Sequence, residues 1–94
     1  MKKIVGIMCS AGISASIIIQ KLNKYCEDNN LDTVFESIYF NDILNKEYKY
    51  ILLAPQSSYL FEKVLSVAKT SKVIPISSKA YMENNVAEIY SLIE

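Results

Sequence analysis

Four short apolar runs, each followed by a stretch of helical periodicity, restrict the fold of this chain more than any other feature. Ile4-Val5-Gly6-Ile7-Met8 is continuous and of strand length, as expected of a strand buried on both faces. Residues 33–39, Thr-Val-Phe-Glu-Ser-Ile-Tyr, read as a second strand rich in β-branched and aromatic residues. Tyr50-Ile51-Leu52-Leu53-Ala54 is a third, stopped by Pro55, and Lys72-Val73-Ile74-Pro75-Ile76 is a fourth, whose proline marks a sheet edge. Between them, Ala15, Ile18, Ile19, Leu22 and Cys26 recur along one face of a helix over 14–28. Asn29-Asn30, residues that tolerate left-handed backbone, end it. Asn41-Asp42 offers a cap for a short helix near Ile43-Leu44. Ser57 or Ser58 can cap a helix whose apolar face is Leu60 or Phe61, Val64, Leu65 and Ala68. Val86, Ile89, Tyr90 and Ile93 mark the last helix. The alternation predicts an α/β fold of three layers, an open sheet of four parallel strands with helices on both faces. Strand order 2-1-3-4 puts the apolar first and third strands in the centre.

Composition narrows the function. A chain of 94 residues, 51% hydrophobic and 21% charged, is expected to form one domain, 1–94, with a real core. Ten basic and ten acidic residues cancel, so a nucleic-acid partner, which needs a net basic face, is not expected. The basic start Met1-Lys2-Lys3 leads into an apolar run broken at once by Ser10 and Gly12, which fits neither a signal segment nor a membrane span. The expectation is a cytoplasmic protein. The chain holds two cysteines and no histidine, which rules out Ser-His-Asp and Cys-His catalysis and leaves no ordinary zinc ligand set. A Cys9–Cys26 disulfide is not expected, because Cys26 lies about 18 Å along the helix axis from residue 14 and a bridge reaches only ~7 Å between Cα atoms. Neither a metal nor an organic cofactor is expected.

The loop after the first strand holds the candidate chemistry. In open α/β sheets, ligands sit beyond the carboxyl ends of the strands. There stand Cys9, Ser10, Ala11, Gly12, Ile13, Ser14, Ala15 and Ser16. Their small side chains let successive backbone N–H groups converge on a tetrahedral anion, and the helix start adds its positive end. The same field favours a thiolate, which is what a nucleophilic Cys9 requires. Taken alone, a cysteine ending a strand is a small core hydrophobe, and glycine with serine is ordinary turn chemistry. The conjunction of position, small-residue loop and helix start favours the nucleophile. Cys26, one turn after Leu22, reads as core.

Two phosphate chemistries use a cysteine at such a place. Low-molecular-weight tyrosine phosphatases carry Cys-x5-Arg-[Ser/Thr], whose arginine clamps the phosphate bidentately. Here Ala15 occupies the arginine position and Ser16 keeps the hydroxyl, and no Asp-Pro acid loop is visible. Such a loop would hold a phosphocysteine without hydrolysing it quickly, which suits a carrier.

The opening Lys2-Lys3-Ile4-Val5-Gly6-Ile7-Met8-Cys9-Ser10-Ala11-Gly12-Ile13-Ser14-Ala15-Ser16 resembles the IIB components of the lactose/cellobiose branch of the bacterial phosphoenolpyruvate-dependent sugar phosphotransferase system. There the strand ends in Cys-x-x-Gly-x-Ser-[Ser/Thr]-Ser. Ile51-Leu52-Leu53-Ala54-Pro55-Gln56-Ser57-Ser58-Tyr59 resembles that family's second signature, apolar residues followed by Gly-Pro-Gln and a tyrosine. The resemblance implies a flavodoxin-like sheet with a phosphatase-like anion loop. It implies that Cys9 takes a phosphoryl group from a IIA phosphohistidine and gives it to a sugar bound by the membrane component IIC. Residues 10–16 would form the cradle, and Pro55, Gln56 and Tyr59 the neighbouring loop. A protein that docks two partners in turn is expected to be a monomer. Ile13, placed at the loop tip, is expected to contact those partners. The rival readings are a phosphatase or arsenate-reductase-like enzyme and a non-catalytic anion-binding module. Ala54 departs from the family's glycine, Ala15 from its hydroxyl residue, and Ser77 to Met82 from its Asp-Pro-x-x-Tyr-Gly pattern, so 77–85 is read as a divergent loop with Tyr81 as a further candidate.

Overall fold

In a computed structural model that describes residues 3–8 and 13–93 (backbone alone for 13–15), the four apolar runs become the parallel strands β1 (Lys3–Met8), β2 (Thr33–Ile38), β3 (Tyr50–Leu53) and β4 (Lys72–Pro75). Their order is β2-β1-β3-β4, as expected. Val5 pairs with Phe35 on one side and Tyr50 on the other, and Met8 with Ile38 and Leu53, so the central strand is in register with both neighbours. The helices are α1 (Ile13–Asp28), α2 (Phe40–Asn45), α3 (Phe61–Val67), α4 (Ser78–Met82) and α5 (Val86–Ser91), with a 3₁₀ segment over Pro55–Leu60.

Strand alternation sorts the apolar residues onto two faces. Val5, Ile7, Phe35, Leu52 and Ala54 meet Ile18, Leu22 and Cys26 of α1 and Ile89 and Tyr90 of α5. Met8, Ile38, Ile51 and Leu53 meet Ile43 of α2 and Val64 of α3 on the other. A run apolar at every position, such as Ile4 to Met8, can only be satisfied by this double cover. A pair of hydroxyls, Thr33 Oγ1 and Tyr90 Oη at 3.2 Å, fastens α5 to the edge strand inside the first core.

Two helices end through the same device. Asn30 has φ 54° and Asn84 φ 52°. Each stands in the left-handed position that lets the next residue's N–H reach back five residues: Leu31 N–H to Cys26 O at 2.8 Å, and Asn85 N–H to Ala80 O at 2.9 Å. The Asn29-Asn30 stop therefore acts as read, and its counterpart Asn84-Asn85 corrects the reading of 77–85 as a loop. Ser77 Oγ accepts from Ala80 N–H at 3.1 Å and so caps α4.

Other local expectations are also corrected. Tyr39 is not strand but the N-cap of α2, where the Asp42 carboxylate accepts its backbone N–H at 2.7 Å. Neither Ser57 nor Ser58 caps α3, whose N-cap is Leu60. Pro55 instead opens the 3₁₀ segment, its fixed φ suiting a first helical position. Ser57 is fully buried there, and Ser58 Oγ donates to Pro55 O at 3.0 Å. Leu65 is 48% exposed and no part of the α3 core face.

Gly6 lies beneath Ile38. A Cβ added to Gly6 would stand 3.1 and 3.2 Å from Ile38 Cγ1 and Cγ2 and closer still to Cδ1. Ile38 is itself 1% exposed and has little room to turn. Gly6→Ala is expected to cost about 1–3 kcal/mol by overpacking. Melting followed by circular dichroism should show Tm falling by roughly 4–8 °C for each kcal/mol. Adding Ile38→Val should recover part of the loss, and an unchanged Tm in the single variant would refute the clash.

Candidate functional site at the carboxyl ends of the central strands

From β1 the chain passes through α1 to β2 on one side, whereas from β3 it passes through α3 to β4 on the other. The connections diverge between β1 and β3, and a crevice opens at their carboxyl ends. The N–H of Ala54 donates to Met8 O at 3.0 Å, which holds the two exits at one level. β1 ends at one lip of this crevice and Pro55-Gln56 begins at the other.

Cys9, Ser10, Ala11 and Gly12 lie outside the described residues. Ile13, Ser14, Ala15 and Ser16 form the first turn of α1, so Ile13 opens the helix rather than tipping the loop. That turn carries no acidic residue. Its backbone N–H groups have no intrahelical acceptors, so the helix presents its positive end toward the crevice with no acidic side chain of its own first turn against it. An anion or a thiolate is stabilised at such a position.

Across the crevice, Pro55 is half-buried and Gln56 exposed at the start of the 3₁₀ segment. Tyr59 is 74% exposed and does not cover core. Tyr81 is the reverse, 6% exposed and packed in the core on the α1 face. Ile17, Gln56, Tyr81, Met82 and Asn84 line an open hollow of about 300 Å³. Ile17 and Met82 were not singled out from sequence. Of the run Ile17-Ile18-Ile19, only the second and third fall on the buried stripe, so the first had to face outward, and it is 52% exposed. Met82 is 79% exposed at the end of α4, the helix that Ser77 and Asn84 bracket.

The described groups with displaced proton affinities stand elsewhere. Lys46, before β3, is held charged to higher pH by its hydrogen bond and ion pair with Glu36 at 3.0 Å. Burial pushes the Tyr48 hydroxyl up. Burial likewise pushes up the thiol of Cys26, in the last turn of α1 at the amino end of the sheet. Among the described residues, no group of histidine, cysteine and carboxylate side chains could hold a metal ion.

Residues 4–91 match the family described as PTS system, lactose/cellobiose-specific IIB subunit. The chain belongs to this family. The match runs from Ile4 in β1 to Ser91 at the end of α5 and thus spans every element of the fold. Membership places the chain in sugar phosphotransfer as a phosphoryl carrier, and as a IIB subunit it shares its fold with solved relatives. One is the lactose-specific IIB component domain of the phosphoenolpyruvate:carbohydrate phosphotransferase system from Streptococcus pneumoniae, with a TM-score of 0.84 at 12% identity over 99% of this chain and 95% of that one. Another is the cellobiose-specific phosphotransferase IIB component protein from Borrelia burgdorferi, with a TM-score of 0.75 at 23% identity over 98% of this chain and 88% of that one. No curated protein sequence matches the chain.

For this IIB subunit, the burial of Cys26 has a direct consequence. Its folded-state thiol holds its proton to higher pH than the unfolded chain's does. Its contribution to stability is therefore present below the ordinary thiol range and lost as pH rises through the raised value. Iodoacetamide at about pH 8 should leave Cys26 unmodified in the native protein and alkylate it after denaturation. Peptide mass mapping reads both states, and native labelling of Cys26 would contradict its assignment to the core.

Proposed function

We propose that Cys9 is the residue that carries the phosphoryl group, taking it from a phosphohistidine of a IIA protein and passing it to a sugar bound by a membrane IIC permease. The observation that carries this reading is the position of the thiol in the chain, directly after the strand that forms one lip of the β1/β3 crevice. The positive end of α1, whose first turn carries no acidic residue, supports it, since both a thiolate and a cysteinyl phosphate are anions. In the first step the Cys9 thiolate attacks phosphorus in line, the phosphorus–nitrogen bond breaks, and the imidazole leaves. In the second a sugar hydroxyl attacks the same phosphorus, the phosphorus–sulfur bond breaks, and the thiolate returns as the hydroxyl proton passes to a base or to water.

Residues 10–16 form the cradle in this reading, and Pro55, Gln56 and Tyr59 the opposing loop. Ala15 at the arginine position of related phosphatases accounts for retention of the phosphate rather than its release to water. The subunit acts as a monomer on the cytoplasmic side, and the whole of 1–94 serves as its single domain. Among the described residues no helix is long and apolar enough to cross a membrane.

Incubation with phosphorylated IIA should add one phosphate to the protein, located on Cys9 by mass spectrometry and released by iodine. Cys9→Ser should abolish the adduct. Rapid release of inorganic phosphate from an aryl phosphate would instead favour a phosphatase, and no adduct in the native protein an anion-binding module.

The exposed apolar residues at this rim serve partner docking in the same reading. Ile17→Glu and Met82→Glu are expected to slow phosphoryl transfer from IIA about tenfold or more, with Tm changed little because both side chains face solvent. Stopped-time phosphorylation assays beside melting curves check this. Unchanged transfer in both variants would remove the rim from the docking face.

A further inference from the structure

We propose that Asn23 stands in for a fifth strand and closes the β2 edge against pairing with a second copy of this chain. β2 is an outer strand, and a parallel ladder uses only every second residue of it. Lys3 N–H donates to Asp32 O, so the even-numbered residues of this stretch face β1 and Thr33, Phe35 and Ser37 turn their backbone groups outward. Asn23 of α1 meets the middle one of these with both ends of its amide. Its Oδ1 accepts the Phe35 N–H at 2.8 Å, and its Nδ2 donates to the Phe35 carbonyl at 3.0 Å. A neighbouring strand would make this same pair of bonds.

The edge needs such a device. The opposite edge, β4, carries Lys72, exposed, and Pro75, both of which discourage strand addition. β2 reads Thr-Val-Phe-Glu-Ser-Ile, with no proline, no lysine and one charge. That charge, Glu36, is already engaged by Lys46 at 3.0 Å. An incoming strand must claim the outward groups of Phe35, because they lie at the centre of the edge. Two β2 edges meeting antiparallel about Phe35 would form a closed two-fold pair, which makes a second copy the natural occupant once the amide is removed.

Sedimentation velocity across a concentration series tests the proposal, with hydrogen exchange at the Phe35 amide as a second readout. The native protein should remain monomeric, with the Phe35 amide protected at every concentration. Asn23→Ala should dimerise as concentration rises, with Phe35 exchanging roughly tenfold faster than native when dilute and regaining protection in the dimer. Adding Ser37→Lys, an exposed edge position, should return the Asn23→Ala protein to monomer. Should Asn23→Ala fail to fold, the milder Asn23→Ser carries the same three comparisons. A folded variant that stays monomeric at all concentrations, or one whose association ignores Ser37→Lys, overturns the proposal and reduces Asn23 to a staple between α1 and β2.

Discussion

The covering of β1 on both faces is the constraint from which the rest of the structure follows. Val5 and Ile7 have no solvent exposure and Met8 only 3%. Each such side chain contributes about 1.5–3 kcal/mol when fully removed from water. No single helix layer can supply this, because alternate residues point in opposite directions. The chain must therefore place helices on both sides, and it does so with α1 and α5 against one face and α2 and α3 against the other. Gly6 belongs to the same constraint: its missing side chain is the space into which Ile38 packs.

Covering both faces from parallel strands forces the crossovers to diverge somewhere. They diverge between β1 and β3, and the crevice at that point is a by-product of topology rather than of any one residue. What the local sequence adds is its chemistry. α1 begins beside the crevice without a carboxylate in its first turn, which favours an anion at that end. A buried cysteine at the far end of the same helix shows the contrast. Cys26 sits among apolar side chains that favour its neutral form, whereas the amino-terminal end of the same helix favours an anion.

Much of this was legible because the signals were local and redundant. Strand runs, the α1 stripe Ile18-Ile19-Leu22-Cys26 and the Asn30 stop each depend on a few neighbouring residues, and the strand order followed from which runs were most apolar. Family membership was legible for the same reason, from two short motifs near residues 9–16 and 51–59. Less legible were features set by distant partners. Tyr39 looks like strand from its aromatic ring, yet Asp42 and the end of the β1 pairing turn it into a cap. Ser57 resembles a cap and is buried beneath the 3₁₀ segment. α4 is not legible from periodicity because five residues offer too little of it, although Ser77 and Asn84 bracket it with ordinary start and stop signals.

By itself, then, the sequence determined the four strands and their order, the long first helix and the double-sided burial of β1 and β3. Those depend on hydrophobic period and on residue chemistry, which are properties of short segments. Only the tertiary structure decided that Ala54 would lie level with Met8, that Ile17 and Met82 would share a hollow with Gln56, and that Asn23 would bond across to Phe35. These meetings join residues far apart in the chain, and their geometry exists only once the strands are in register and the helices have settled on the sheet.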